Sequence, residues 1–133
     1  MAIKMSVAVR NAELNAIETA IGVSAVLKIR TGAPPTNIVD ADSGTVLATL
    51  NLPSDRMGAA SAGVAAKAGT WQDASADAAG TAGHFRIYAT DGTTQHIQGT
   101  VAASAADLNV DNVVFAAGQS FTITSFSLTA GNA

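Results

Sequence analysis

The spacing of the apolar residues changes once along this chain, at Gly22, and that change constrains the fold more than any single residue does. Before it, SVAVRNAELNAIETAIG (6–22) repeats Val7, Leu14, Ile17 and Ile21 at helical spacing, with Arg10, Glu13 and Glu18 elsewhere around the helix. Ser6 is placed to cap the first turn, and Gly22 suits the position just past the last one. After Gly22 the period drops to two. AVLKIRT (25–31) sets Ala25, Leu27 and Ile29 on one face and Lys28 and Arg30 on the other. GTVLATLNLP (44–53) alternates Val46, Ala48, Leu50 and Leu52 with Thr45, Thr49 and Asn51. FRIYA, HIQGTV, VDNVVFA and SFTITSFSLT follow as short runs between turn residues, while GAPP (32–35) breaks the chain because proline lacks a ladder donor. This pattern predicts a mainly β fold, an antiparallel β-sandwich or jelly roll with one N-terminal α-helix. The expected layout is a helical segment over 1–22 and a β-sandwich over 23–133, together one domain, which suits 133 residues.

The middle, MGAASAGVAAKAGTWQDASADAAGTAG (57–83), is close to low complexity. Its small residues fit either long loops or strands packed closely on another surface. Trp71 is expected to anchor it to the core, with an interface anchor as the alternative.

Chemistry-bearing residues concentrate in AGHFRIYATDGTTQHIQGTV (82–101), which holds both histidines of the chain. Phe85, Ile87, Ile97 and Val101 are all odd-numbered, so a hairpin buries them together only if odd residues oppose odd ones. A three-residue loop Thr90-Asp91-Gly92 gives that register, pairing Phe85 with Ile97, Arg86 with His96 and His84 with Gln98. His84, Arg86, Tyr88, His96 and Gln98 are then expected together on an outer face. The permanent charge of Arg86 opposes a cation there, and a catalytic zinc wants three protein ligands where only two histidines stand. No metal is expected.

DLNVDN (107–112) alternates Asp107, Asn109 and Asp111 as a calcium loop does, but Asn112 and Gly118 stand where that loop needs glycine and a bidentate glutamate. A turn into VVFAA is the better reading. Asp73 and Asp77 sit among Ala and Ser without an apolar pocket to perturb them, and no serine lies in a nucleophile elbow. Neither an enzymatic activity nor a cofactor is expected. Charged residues make up 13% of the chain, about half the ~25% usual for soluble domains, and the net charge is −3. A surface so weakly self-repelling suits faces covered by copies or neighbours, and it lacks the clustered cations of a nucleic-acid binder. With no cysteine, disulfides and thiolate metal sites are excluded. Arg10 and Glu13 interrupt any N-terminal apolar run, so neither a secretory signal nor a membrane span is expected.

AVLKIRTGAPPTN, SGTVLATLNLPSD, GTAGHFRIYATDGTTQHIQGTV, ADLNVDN and AAGQSFTITSFSLT together resemble a family of small proteins encoded among the virion genes of tailed bacteriophages. The similarity runs from about Val7 to Thr129 and brings no catalytic residue with it. It implies a virion component made in the host bacterial cytoplasm. The role expected from it is a capsid decoration or cement protein, a dimer or trimer touching the major capsid protein or other virion proteins. Contacts are expected through Val7, Leu14, Ile17 and Ile21 of the helix and through Arg86, Tyr88 and His96 of the hairpin. A collar, neck or tail-associated component and a receptor- or carbohydrate-binding β-sandwich stand as alternatives.

Overall fold

The computed structural model describes residues 3–133; Met1 and Ala2, the start of the expected helical segment, lie outside the described residues. The chain is mainly β with one N-terminal helix, as the change of period predicts. Helix α1 (Val7–Ile21) begins where the Ser6 hydroxyl accepts from Val9 N at 3.3 Å, and ends where Gly22 N donates to Glu18 O at 3.1 Å. Strands β1 (Val26–Thr31), β2 (Val46–Asn51), β3 (Val64–Ala66), β4 (Gln72–Asp73) and β5 (Gly80–Tyr88) follow. After them come β6 (Gln95–Ala102), β7 (Leu108–Val110), β8 (Val114–Phe115) and β9 (Phe121–Thr129). They form one curled sheet in the order β2-β1-β5-β6-β7-β9-β3, with β4 added to β9 and β8 to β5. Every pairing is antiparallel except β6 with β7. No helix among the described residues is long and apolar enough to cross a membrane.

Curling the sheet brings Leu27, Ile29, Phe85 and Ile87 into one core with Leu47, Leu108, Ile123 and Phe126. Trp71 enters this core, its ring 5.6 Å from Phe126, and its Nε1–H donates to Ala68 O at 3.1 Å. The low-complexity middle is thus pinned by Trp71, with Met57 also buried, and it supplies β3 and β4. Phe85 meets Phe126 edge-on at the same 5.6 Å. Leu14 and Ile21 are buried beneath α1 and Ile17 packs half-buried, so three of the four stripe residues serve their own domain. Val7, 51% exposed, does not.

Polar side chains complete the docking of α1, which its narrow apolar stripe alone does not explain. Arg10 donates through Nε and Nη2 to Ala130 O, at 3.1 and 3.0 Å. Asn11 Oδ1 accepts from Gly63 N and Asn15 Oδ1 from Ala60 N. Glu18 Oε1 accepts from Arg56 N, and the Arg56 guanidinium returns two bonds to Gly22 O and Glu18 O.

Both sheet ends are partly covered by the chain itself. The amides of Asp77 and Ala78 donate to Leu47 O on β2 at 2.7 and 3.4 Å. The run 57–61 folds along β3, where Gly58 N donates to Ala66 O at 2.7 Å. At each end part of the edge is therefore already bonded within the chain.

The β5–β6 hairpin keeps its predicted facing but not its predicted register. Ile87 opposes Ile97, Phe85 opposes Gly99, Arg86 opposes Gln98 and His84 opposes Thr100, a slide of two residues. The cause is a longer turn. Asp91 accepts from the amides of Thr93 and Thr94 and from the Thr94 hydroxyl, and Ala89 N donates to Thr94 O. A bulge between Ile87 and Tyr88 takes up the odd residue. The Thr94 hydroxyl and the Thr94 and Thr93 amides pull the Asp91 carboxyl down to about 2. A slide of two preserves side-chain parity, so the faces survive although every partner changed.

Candidate functional site

The segment between β1 and β2, residues 32–45, folds back as a strap across the polar face of β1, β5 and β6. The row beneath it is set by register: Lys28 opposes Arg86, which opposes Gln98, and Arg30 opposes His84, which opposes Thr100. His84, Arg86 and Tyr88 were expected on a wet outer face; instead all three are fully buried. Of the expected outer group only His96 is exposed, with Gln98 half-buried. The alternation was right, and the covering by a distant loop was invisible to it.

Asp42 is the centre of the strap's attachment. Its Oδ2 accepts from Arg30 Nη2 at 2.9 Å, and its Oδ1 accepts from Arg86 Nη1 at 2.9 Å and from the Tyr88 hydroxyl at 2.7 Å. Arg86 reads the strap backbone as well, donating to Asp40 O at 2.9 Å and Asn37 O at 3.3 Å, while its Nε holds Gln98 Oε1 at 3.1 Å. Gln98 passes the chain on, its Nε2 donating to Pro35 O at 2.7 Å. Pro35, in the run that breaks the strand, thereby presents a carbonyl to a side chain of the sheet. At the strap's exit Thr45 N donates to Thr31 Oγ1 at 2.9 Å. Lys28 lies 5.0 Å from the Tyr88 ring centroid and donates to Gly92 O.

Two glycines allow the close approach. A Cβ on Gly83 would sit 2.2 Å from Gly32 O, and one on Gly44 would sit 2.2 Å from Thr31 O. Gly44 also has φ +72°, where side chains are strained.

Electrostatics follow from this packing. Burial alone would raise the Asp42 carboxyl, but the Tyr88 and Arg86 hydrogen bonds and the charges of Arg30 and Arg86 outweigh it and hold it below the usual carboxylate range. Burial, and then the bond to Asp42, push the Tyr88 phenol up. Burial lowers His84, the Gly32 carbonyl opposes that, and the Arg30 and Arg86 charges lower it further. At neutral pH the cluster therefore holds an ionised Asp42, a neutral His84 and a protonated Tyr88. Its hydrogen bonds run among its own side chains and to the strap backbone.

The remaining candidates are equally engaged. Asp107 Oδ2 accepts from the Thr100 amide and hydroxyl at 2.8 and 2.9 Å, Asn109 donates to Ser125 Oγ, and Asp111 Oδ1 accepts from Thr122 N. The calcium-like run is thus strand β7 and its flanks, stitched to β6 and β9. Asp73 Oδ1 accepts from Ser75 N, and Asp77 Oδ2 accepts from the Thr49 hydroxyl. Among the described residues no group of three or more His, Asp or Glu side chains is arranged to hold a metal ion.

No protein-family model, curated protein or solved structure matches this chain.

Sequence reading missed Asp42 as the partner of Arg86, and missed Arg30 as a buried cation. A signal was present: three cations, Lys28, Arg30 and Arg86, share one sheet face, and Asp40 and Asp42 lie in the segment leaving it. Buried cations require partners, so charge counting points to the strap where periodicity cannot.

Proposed function

We propose that this chain is a structural component of a tailed-phage virion, a capsid decoration or cement protein that bridges adjacent major-capsid subunits by noncovalent contact. Alongside the sequence resemblance, one observation carries the reading. The polar groups gathered by the hairpin are turned inward to hold the strap, while aliphatic side chains stand outside. Val7 is 51% exposed and Val9 48% on α1, and Val64 is 40% exposed on β3, the strand that α1 packs against.

Contacts with other virion proteins then centre on Val7, Val9 and Val64, with His96 on a separate face. Arg86 and Tyr88 are withdrawn under the strap, and Leu14 and Ile21 are withdrawn into the core. On this reading copies meet through side-chain surfaces rather than by adding strands. A standard interface removes about 800 Å² per partner, roughly an eighth of the 6638 Å² this chain exposes. A dimer or trimer touching two capsid subunits thus covers much of the molecule, and repetition over many copies multiplies a modest affinity.

The glycan-binding alternative is weakened by the aromatic residues. All six rings, Trp71, Tyr88, Phe85, Phe115, Phe121 and Phe126, are buried, so none forms an exposed stacking platform.

A particle reconstruction tests the proposal. Hundreds of copies at symmetry-related positions on the head, and heads that rupture at lower temperature without the protein, are the expected results. About a dozen copies at a portal vertex would assign a neck or collar role instead. A particle without the protein, or heads equally robust in its absence, would defeat the cement role.

A further inference from the structure

His84 lies at the point where the strap leaves β1, and its surroundings leave no room for another positive charge. Its Nδ1 is 2.9 Å from Gly32 O. A carbonyl only accepts, so the proton is on Nδ1 and Nε2 carries the lone pair. That Nε2 is buried with no partner. Directly across on β1 stands Arg30, whose buried Nε is also unpartnered. Arg86 follows on the same face of β5.

The charged and titratable groups packed around this face come from four elements. β1 contributes Lys28 and Arg30; β5 contributes Arg86 and Tyr88; the strap contributes Asp40 and Asp42; β6 contributes neutral Gln98, with its His96 turned to solvent. Asp42 is the carboxylate bonded to guanidiniums, while that of Asp40 accepts from Asn37 N. Two buried guanidiniums therefore share one carboxylate. An imidazolium would add a third cation, and would place a proton on the buried Nε2 that has no partner in this structure.

The strap is also the part free to yield. None of residues 33–45 belongs to the buried apolar core, and Val39 at its tip is 83% exposed. Polar contacts hold it to the sheet, whereas β1, β5 and β6 are held by ladders and core packing.

We infer that residues 32–45 form an acid-released latch, in which protonation of His84 undocks the strap and bares Arg30, Arg86 and Tyr88 while the sheet stays closed. The direction follows from linkage. Because burial lowers the folded-state pKa of His84, docking is at full strength above the unfolded value of about 6.5 and weakens as pH falls below it. Asp42, held below the usual carboxylate range, stays ionised through that window and is not the trigger.

Hydrogen exchange on the full chain at pH 7.5 and 5.0, corrected for intrinsic rates, tests this. The expected result is at least a tenfold loss of protection at pH 5.0 for the Asp40 and Thr45 amides, with Ile123 in β9 unchanged. His84→Asn keeps a donor for Gly32 O but does not titrate, and its strap is expected to be protected equally at both pH values. Equal strap protection in the wild type, simultaneous loss in β9, or an unaltered pH response in His84→Asn would overturn the latch. If that variant does not fold, ¹⁵N titration of the wild-type imidazoles decides. His84 and the strap amides titrating with one midpoint support the latch, and separate midpoints overturn it.

Discussion

Phe85 and Ile87 on one face of β5, and His84, Arg86 and Tyr88 on the other, are all within 1% of complete burial. The first pair is covered by apolar side chains from across the curled sheet, and the second set by the backbone and one carboxylate of the strap. Apolar burial is forgiving in direction: any neighbour of suitable shape serves, and loss is graded with volume. Polar burial is directional and interdependent, since removing one member strands its partners without water. One strand thus has a face that tolerates repacking and a face that must be satisfied as a set.

The largest expected effect sets the two faces against each other. Phe85→Ala and Arg86→Ala should each cost about 3–5 kcal/mol in urea unfolding, the first through a cavity and the second by leaving Gln98 and the Asp40 and Asn37 carbonyls without their donor. The faces then diverge on rescue. Arg86→Met should recover only the packing share of the loss, because Gln98 and the carbonyls of Asp40 and Asn37 still lack their donor while Asp42 keeps Arg30 and Tyr88. Full recovery of stability in Arg86→Met would break the comparison.

Acidification should act on the polar face. Above about pH 6.5 both His84 and Asp42 contribute fully; His84's contribution is lost first as pH falls, and Asp42's only as pH falls below the ordinary carboxylate value of 3.8. Unfolding free energy measured from pH 8 to pH 3 should fall in two stages, and His84→Asn should remove the upper one.

A smaller effect tests the close approach of strap and sheet. Gly83→Ala places a methyl group against Gly32 O and should cost about 1–3 kcal/mol, with increased exchange confined to the strap. Equal disturbance of β9 would mean that strap and core are not separable. The smallest expected change is Val39→Ser at the strap's exposed tip, within about 0.5 kcal/mol of wild type by thermal unfolding. A larger loss would reveal apolar holding of the strap and blur the contrast.

Local features of the fold were legible because their causes are local. The limits of α1 follow from Ser6, Gly22 and a 3.6-residue period, and those of β1 and β2 from alternation. Hairpin facing was legible from the odd positions of Phe85, Ile87 and Ile97, but its register was not. Asp91, through three hydrogen bonds, sets a longer turn than glycine placement implied. In the candidate site Arg86, Tyr88 and His84 were correctly placed on one face, and wrongly taken to meet water. Their partners, Asp42 for Arg86 and Tyr88 and Gly32 for His84, are more than forty positions away in sequence, beyond the reach of any pattern window.

Alternation of side chains along a strand is a property of the backbone, so the amino-acid sequence alone determined which residues of β5 share a face. Whether that face meets water depends on where a distant segment comes to rest. Only the tertiary structure decided it, by laying residues 32–45 across the sheet. The strap goes there because buried guanidiniums at Arg30 and Arg86 need a carboxylate and carbonyls, and Asp42, Asp40 and Asn37 supply them.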